Sequence, residues 1–464
     1  MDAWRSAAGL GAHRRRRPGG VVVTTIEKVA AAADQVVHEV LDDLTNSDQR
    51  AIVVDSPPGA GKSTLVVRAA QHLAQDGGQR IIVAQTNEQV DDLIDRLATA
   101  HPDMRIGRVS AASYQQSERV AAHTNVANAT DPETLGDRAL LIGTAAKWAT
   151  IRTGTWPWAI VDEAYQMRSD MLLRISSRFE RALFVGDPGQ LDPFSTVEAD
   201  RWAGLSWDPT MSAVTVLTAH NPDIAIHRLP VSWRLPATAA PVVSEAFYPF
   251  TGFTAATRSE QRRLELTTRG GLGGTVDDAI DEAARSGWAW YELPARHTIR
   301  TDSEAVAAIA AITRRLLERG AIAHSERGSN PVTAERIAVG TAHHDQAAAV
   351  RAALRGTSAE TVTVDTANRL QGREYDITVV LHPLSGRRDA TAFHLEAGRL
   401  CVLTSRHRHA CIVVGRAGIP ELLDTHPSTE PVLLGVPVKF PDGWEANQAV
   451  LAQLGKHRIR AAPQ

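Results

Sequence analysis

The stretch Ser56-Pro-Pro-Gly-Ala-Gly-Lys-Ser-Thr64 follows an apolar run, Ala51 to Val54, and precedes a helix-like segment that begins near Lys62. A strand feeding a Gly-rich turn that ends in Gly61-Lys62-Ser63 has a mechanical reading. Backbone N–H groups and the helix N-terminus cradle phosphates, the lysine reaches them, and the serine hydroxyl holds Mg2+. This is a P-loop, with Gly59 and Gly61 shaping the turn and Lys62, Ser63 and Thr64 facing a nucleotide. Ser56 stands where the pattern asks for its first glycine, which puts in doubt only how the chain enters the loop. A Gly-rich turn without a ligand would have no structural need for a lysine and two hydroxyls.

The rest of the composition sets bounds. At 464 residues the chain can bury ample core in two or three domains without disulfides or a structural metal. Its two cysteines, Cys401 and Cys411, sit in apolar runs without metal-like spacing; they read as buried structural residues in a reducing compartment. A formal net charge of −3 argues against nucleic-acid binding by bulk positive charge but leaves room for a basic groove. No apolar run reaches the roughly 18 to 20 residues a membrane span needs, so the expectation is a soluble, cytoplasmic protein with no membrane partner. Residues 1 to 20 carry the block His13-Arg14-Arg15-Arg16-Arg17 with no apolar periodicity. A disordered tail, a misassigned start with initiation near Val21 to Val23, and a basic arm on nucleic acid all fit that pattern.

Outward from the P-loop, strands and helices alternate. Thr25 to Leu44 has apolar residues at helical spacing. The strand Ile81-Ile82-Val83-Ala84 runs into Gln85-Thr86-Asn87 and a helix, Ala139 to Gly143 ends in Thr144, and Trp158 to Val161 ends in Asp162-Glu163. Such alternation implies a parallel sheet with ligand sites at the strands' carboxyl ends. The acidic pair has defined work beside a P-loop: one carboxylate binds the Mg2+ shell and the other polarises the attacking water. The strand Ala182 to Val185 leads into Gly186-Asp187-Pro188-Gly189-Gln190, where a glutamine beside the nucleotide can sense its γ-phosphate. Residues 102 to 138, poor in aliphatics, read as a small insertion above the sheet.

In the second half, Trp233-Arg234 pairs a stacking face with a cation able to reach phosphate. Residues 251 to 287 read as loop or linker. A strand from Trp288 to Leu293 and a capping box Thr301-Asp302-Ser303-Glu304 then open a second α/β domain. Strands near 336–340 and 361–364 follow, then Thr366-Ala367-Asn368-Arg369-Leu370-Gln371-Gly372-Arg373-Glu374 and Thr404-Ser405-Arg406-His407-Arg408. Arg406, at the end of a helix, suits an arginine finger, a fixed cation at developing phosphoryl charge. The tail after Ala417 ends in a helix, Trp444 to Leu454.

These ordered motifs, SPPGAGKST, QTNEQVDDL, VDEAYQ and VGDPGQLDP with their second-half counterparts, resemble superfamily 1 helicases, most closely the branch of the up-frameshift RNA helicase and its bacterial and phage relatives. The resemblance spans roughly residues 50 to 415. It implies two RecA-like P-loop NTPase domains with parallel sheets and ATP in the interdomain cleft. The expected division is a tail over 1–20, a first domain over 21–205, a connecting segment over 206–287 and a second domain over 288–464. By the same resemblance Lys62 and Ser63 bind phosphates and Mg2+, Asp162 coordinates Mg2+, Glu163 is the catalytic base, and Gln190 is the γ-phosphate sensor. Arg234 and Arg406 act on the transferring phosphoryl group, and Trp233, Gly372 and Glu374 lie by the nucleotide. Thr86, Asn87, Thr144, Thr366 and Gln371 hold single-stranded DNA or RNA. Asn368 departs from the acid many relatives carry; for the family's adenine-reading glutamine, Gln49 lies too close to the P-loop and Gln35 stands further upstream. The implied function is an ATP-dependent, nucleic-acid-stimulated helicase or single-strand translocase moving 5′ to 3′, with a partner protein supplying duplex separation. The alternative is an ATPase subunit of a larger regulatory or phage-defence complex.

Overall fold

The computed structural model describes residues 25–75, 77–191, 193, 202, 209–299, 301–427 and 442–462. The basic N-terminal block, Asp192 and much of the tail after Ala417 lie outside the described residues. The chain divides into two compact units, one of residues 32–230 and the other of residues 231–464 together with the segment before residue 32, each α/β. The stretch 206–287 is thereby shared between them at Pro230/Val231.

The first unit is built on β1 (Ala51–Asp55), β2 (Arg80–Ala84), β3 (Ile106–Val109), β4 (Val126–Ala129), β5 (Leu140–Thr144), β6 (Trp156–Asp162), β7 (Phe179–Gly186) and β8 (Ala225–Arg228). They form one parallel sheet in the order β4-β3-β5-β2-β6-β7-β1-β8. A parallel sheet is covered on both faces, so its strands are continuous apolar runs, and β2 is buried along its whole length. Ile52, Val54, Ile82, Ile142 and Leu183 pack in one core with Leu65, Val66 and Leu73 of the helix Lys62–Gln75 and Val90, Ile94 and Leu97 of the helix Asn87–Ala100. Each such side chain contributes ~1.5–3 kcal/mol by leaving water.

Residues 102 to 138 are not an insertion above the sheet. They supply β3 and β4, which extend its edge beside β5, with Ile106 opposite Leu140. Four-residue strands broken by Gly107 and Arg108, and by Asn128, carry too few aliphatics to read as sheet.

The second unit opens with a two-stranded ribbon of β9 (Val231–Ser232) and β10 (Thr254–Ala255), followed by β11 (Arg263–Leu266), β12 (Trp288–Leu293), β13 (Ala321–Ser325) and β14 (Gly328–Pro331). After these come β15 (Ile337–Thr341), β16 (Thr363–Thr366), β17 (Tyr375–Leu381), β18 (His407–Arg416) and β19 (Arg458–Arg460). Its main sheet is parallel, in the order β16-β15-β17-β18-β12-β19, while β11, β13 and β14 form a small antiparallel sheet. Both units are therefore RecA-like, with a parallel sheet packed between helices. The helix Ser303–Arg319 is capped by Asp302, whose carboxylate accepts from the N–H groups of Glu304 and Ala305. Asp302 does this without the expected reciprocal bond between Thr301 and Glu304. Arg416, almost wholly buried, holds the same carboxylate with Nη2 at 2.8 Å. Cys401 and Cys411 are both buried thiols. Among the described residues no helix is long and apolar enough to cross a membrane.

Candidate nucleotide site and nucleic-acid face

The order β2-β6-β7-β1 places four motif-bearing carboxyl ends side by side. The helix Lys62–Gln75 starts directly after the turn, in which Gly59 and Gly61 take φ of 73° and 94°. Those left-handed angles are available to glycine at little cost. From the start of this helix the Lys62 ammonium pairs with both acidic residues that end β6: Nζ lies 3.3 Å from Asp162 Oδ1 and in direct contact with Glu163 Oε1. Asp162 and Glu163 are both buried. Burial alone would depress the Lys62 pKa, but the two carboxylates outweigh it and hold the ammonium above its ordinary value. Burial pushes the Asp162 carboxyl up, the Lys62 charge opposes that rise, and Glu163 adds to it. Two carboxylates sharing one ammonium in a buried site are a poised electrostatic arrangement.

Among the described residues Glu163 is the one non-glycine with positive φ, at 50°, a conformation costing ~1–2 kcal/mol for an L-residue. The turn is kept by its surroundings. A Cβ on Gly186 would meet Tyr165 Cδ2 at 2.9 Å and the amide nitrogens of Ala164 and Tyr165 at 3.0 Å each, so the end of β7 can lie against this turn only as glycine. Strain of this kind concentrates at functional sites.

Around this centre the other elements interlock. The Ser56 N–H donates to Gly186 O at 2.8 Å, joining the P-loop to the end of β7. Asp187 accepts from Gly189 N at 3.0 Å and from the Gln190 side-chain amide, which leaves Gln190 Oε1 buried without a hydrogen-bond partner. Ser56 Oγ is likewise buried and without one. These orphaned polar atoms, the lysine, the Asp162 carboxylate and the Ser63 hydroxyl in the first turn of the helix Lys62–Gln75 make a donor and acceptor set that fits a nucleotide with Mg2+, a hard cation that takes oxygen ligands. Gln49 faces elsewhere: it donates to Asp223 O at 3.0 Å and accepts from Ala225 N at 2.7 Å, pinning the edge strand β8. Gln35 bonds Glu39 within its own helix.

Thr86 and Thr144 follow or end adjacent strands, Ala84 lying opposite Thr144 in the β2/β5 register. Each caps the helix after it, Thr86 in a reciprocal box with Gln89 and Thr144 by accepting from Lys147 N. Gln85 Nε2 reaches Asp162 O at 3.4 Å, a direct link between this face and the acidic pair. Asn87 is exposed and its Oδ1 accepts from the buried Arg108 at 3.0 Å.

In the second unit Thr341 and Thr366 end adjacent strands in register, and Thr366 and Gln371 each hold a buried polar atom without a hydrogen-bond partner. Gly372 takes φ 80°. Glu374 is gripped by two arginines, Arg234 Nε at 3.1 Å and Arg408 Nη1 at 2.8 Å. They hold its carboxyl below the usual range against a burial effect that would raise it. Arg262 donates to the Trp233 carbonyl at 2.6 Å and pairs with Glu326 at 2.7 Å. The structure thus brings Trp233, Arg234 and Glu374 together. The Arg406 carbonyl accepts from Tyr375 N at 2.9 Å, next to Glu374, but its side chain is buried, 1% exposed, with Nε on Val402 O at 3.2 Å and Nη2 on Ser405 Oγ at 2.8 Å. Arg408, Arg262 and Glu326 were not singled out in the sequence; the Arg-His-Arg alternation at 406–408 was the available signal for the first of them.

Fold and site together define a P-loop NTPase with two RecA-like units. AAA-domain family models match residues 32–203 and 220–418, and the chain belongs with the superfamily 1 helicase-like proteins. Among solved structures it is similar to arterivirus nonstructural protein 10 (helicase) in complex with DNA, at 14% identity over 82% of this chain and 62% of that one, TM-score 0.43. It is also similar to the PRRSV helicase, at 15% identity over 94% and 66%, TM-score 0.42. The chain therefore spans a little under two thirds of the length of each. No curated protein matches the sequence.

Proposed function

We propose that this protein is an ATP-driven motor on single-stranded nucleic acid, a helicase or translocase that runs 5′ to 3′ by family resemblance. The observation that carries the reading is the Lys62–Asp162–Glu163 cluster, joined through Gln85 to the strand ends that bear Thr86, Asn87 and Thr144. In this reading Lys62 leaves its carboxylate partners for the β- and γ-phosphates of ATP. Glu163, so released, accepts a proton from the attacking water, and Gln190 reports the γ-phosphate through its tie to Asp187. Ser63 and Asp162 would hold Mg2+, which supplies charge neutralisation at the phosphates. By the family resemblance Gly372 and Glu374 would serve the nucleotide, and Thr366 and Gln371 would hold the strand. Backbone and stacking contacts serve DNA and RNA alike. The test is steady-state ATPase with single-stranded DNA and RNA as competing activators; an activity that neither stimulates would overturn the motor.

A second reading, an ATPase subunit that grips nucleic acid within a larger complex without processive unwinding, draws on residues 102–138. They are spent on sheet strands and not on a separate duplex-splitting domain. A strand-displacement assay separates the two, and a partner that restores displacement would support the second.

A further inference from the structure

We infer that Arg108 is a positioning residue that fixes Asn87 as a hydrogen-bond donor toward the phosphodiester backbone of a single strand; this rests on the motor reading above. Asn87 is exposed just past the carboxyl end of β2, while Arg108, on β3, is fully buried. Its Nη2 lies 3.0 Å from Asn87 Oδ1 and 3.0 Å from Asp91 Oδ1. Tyr114 completes the set: its ring lies 3.7 Å from the guanidinium carbon, and its hydroxyl reaches the two Asp91 oxygens at 2.8 and 2.9 Å. Asp91 and Tyr114 thus fix the guanidinium, and the guanidinium fixes the amide.

The chemistry then follows from which groups can donate. A guanidinium has donors only, so an asparagine facing it must turn its carbonyl oxygen inward and its Nδ2 outward. A phosphate oxygen only accepts, so the outward Nδ2 is the end that suits it. The arginine is a costly way to fill this strand position, because its Nε and Nη1 are buried without hydrogen-bond partners. An aliphatic side chain would fill the space without that cost but would let the Asn87 amide turn over. The same outward donor serves DNA and RNA, since the phosphodiester is common to both.

The experiment uses the full chain and fluorescein-labelled oligo(dT), with Kd read by anisotropy. Asn87→Ala should weaken binding a few-fold. Asn87→Asp should weaken it by about a further tenfold, by setting an acceptor and a negative charge against phosphate. Asn87→Asp should at the same time raise the Tm, because the new carboxylate pairs with Arg108; opposite signs for binding and stability are not what a purely structural residue gives. Arg108→Met should weaken binding in the wild-type background and add little in the Asn87→Ala background. Tyr114→Phe, which keeps the ring under the guanidinium, should give a smaller loss with the same dependence on Asn87. Equal affinity for Asn87→Asp and Asn87→Ala, or a full Arg108→Met or Tyr114→Phe effect without the Asn87 side chain, overturns the inference and leaves the motor reading standing. A wild-type chain that does not bind oligo(dT) or oligo(U) overturns both.

Discussion

The Tyr165 hydroxyl donates to Asp55 Oδ1 at 2.6 Å, tying the turn after the acidic pair to the last residue before the P-loop, 110 positions away in sequence. Asp55 is buried, and Arg228 Nε stands 3.8 Å from its other oxygen. Burial, then the nearby Asp55 charge, push the Tyr165 phenol well above its ordinary pKa. Removing the hydroxyl by Tyr165→Phe leaves a buried carboxylate short of a charge-assisted bond, a loss of ~1.5–3 kcal/mol and several degrees of Tm. The pH sign follows from the raised pKa. The folded phenol keeps its proton where the unfolded one gives it up, so its contribution is whole below about pH 10 and declines above that. Thermal melts of wild type and Tyr165→Phe should differ by a constant amount up to about pH 10 and converge beyond it.

Replacing Lys62 by Ala should abolish ATP hydrolysis, since the cation that reaches phosphate is gone. It also sets Asp162 and Glu163 side by side in a buried site with no ammonium between them. Asp162, already raised by burial and held back by the Lys62 charge, should then take up a proton at higher pH than in the wild type, a shift visible in carboxyl-region infrared spectra. Glu163→Gln should bind ATP and lose turnover, because only the proton acceptor is removed. Wild-type turnover in Glu163→Gln would show that the base lies elsewhere.

How much of this was legible in the sequence depended on whether a signal was local. The P-loop, the acidic pair and the Thr366–Glu374 run are contiguous words whose chemistry is written in order, so the parallel sheets and the Lys62 cluster could be expected from them. β3 and β4 could not, because strands of four residues interrupted by Arg108 and Asn128 look like loop until β5 is beside them. The Asp55–Tyr165 and Arg108–Asn87 bonds were illegible for a related reason. Each joins polar residues from different strands or the turns that follow them, and a buried arginine in a strand reads as surface until its partners are known. Arg406 shows the converse. Its motif was plain, yet its burial against Val402 and Ser405 is a tertiary fact that no linear pattern carries.

The acid side of the stability profile should report the second unit's ion pairs. Glu326 is held down to about 2, against a burial effect that would raise it, by Arg262 and more weakly by Arg408. Its pKa is depressed on folding, so its stabilisation is present above the unfolded value of about 4 and is lost as pH falls toward 2. Glu326→Gln should cost ~1–3 kcal/mol near neutrality, and its melts should merge with the wild type's between about pH 4 and 2. A difference that persists at pH 2 would mean that packing, not charge, sets the cost.

The arginines of the second unit separate binding from chemistry. If Arg234 and Arg406 act in the transition state, replacing either by Ala should lower kcat by orders of magnitude while nucleotide affinity changes much less. Arg234 already sits on Glu374 at 3.1 Å, so Glu374→Ala releases it and should reproduce part of any Arg234 effect. Arg406 is buried, so its Ala variant should also lower Tm. A loss confined to KM in either variant would make that arginine a binding residue only.

What the motor does alone follows from how residues 102 to 138 are used. Relatives that split duplexes efficiently insert extra domains into a motor domain; here the candidate segment is committed to β3 and β4 at the sheet edge, while Thr86, Asn87 and Thr144 stay beside it at the strand ends. Moving along a strand needs only alternating grip by the two units, whereas splitting a duplex needs a surface that one strand cannot pass. The expected outcome is therefore single-strand-stimulated ATPase and 5′ to 3′ movement, with weak unwinding of long duplexes unless a partner supplies the wedge. Streptavidin displacement from end-labelled oligonucleotides reads the direction, and a forked-duplex assay reads the unwinding. Binding should ignore base sequence and fall steeply with salt, because the contacts proposed are to phosphates and base faces. Efficient unwinding of a long duplex by the isolated chain would place a separating surface within these two units after all, and displacement only from the 5′ end would reverse the polarity.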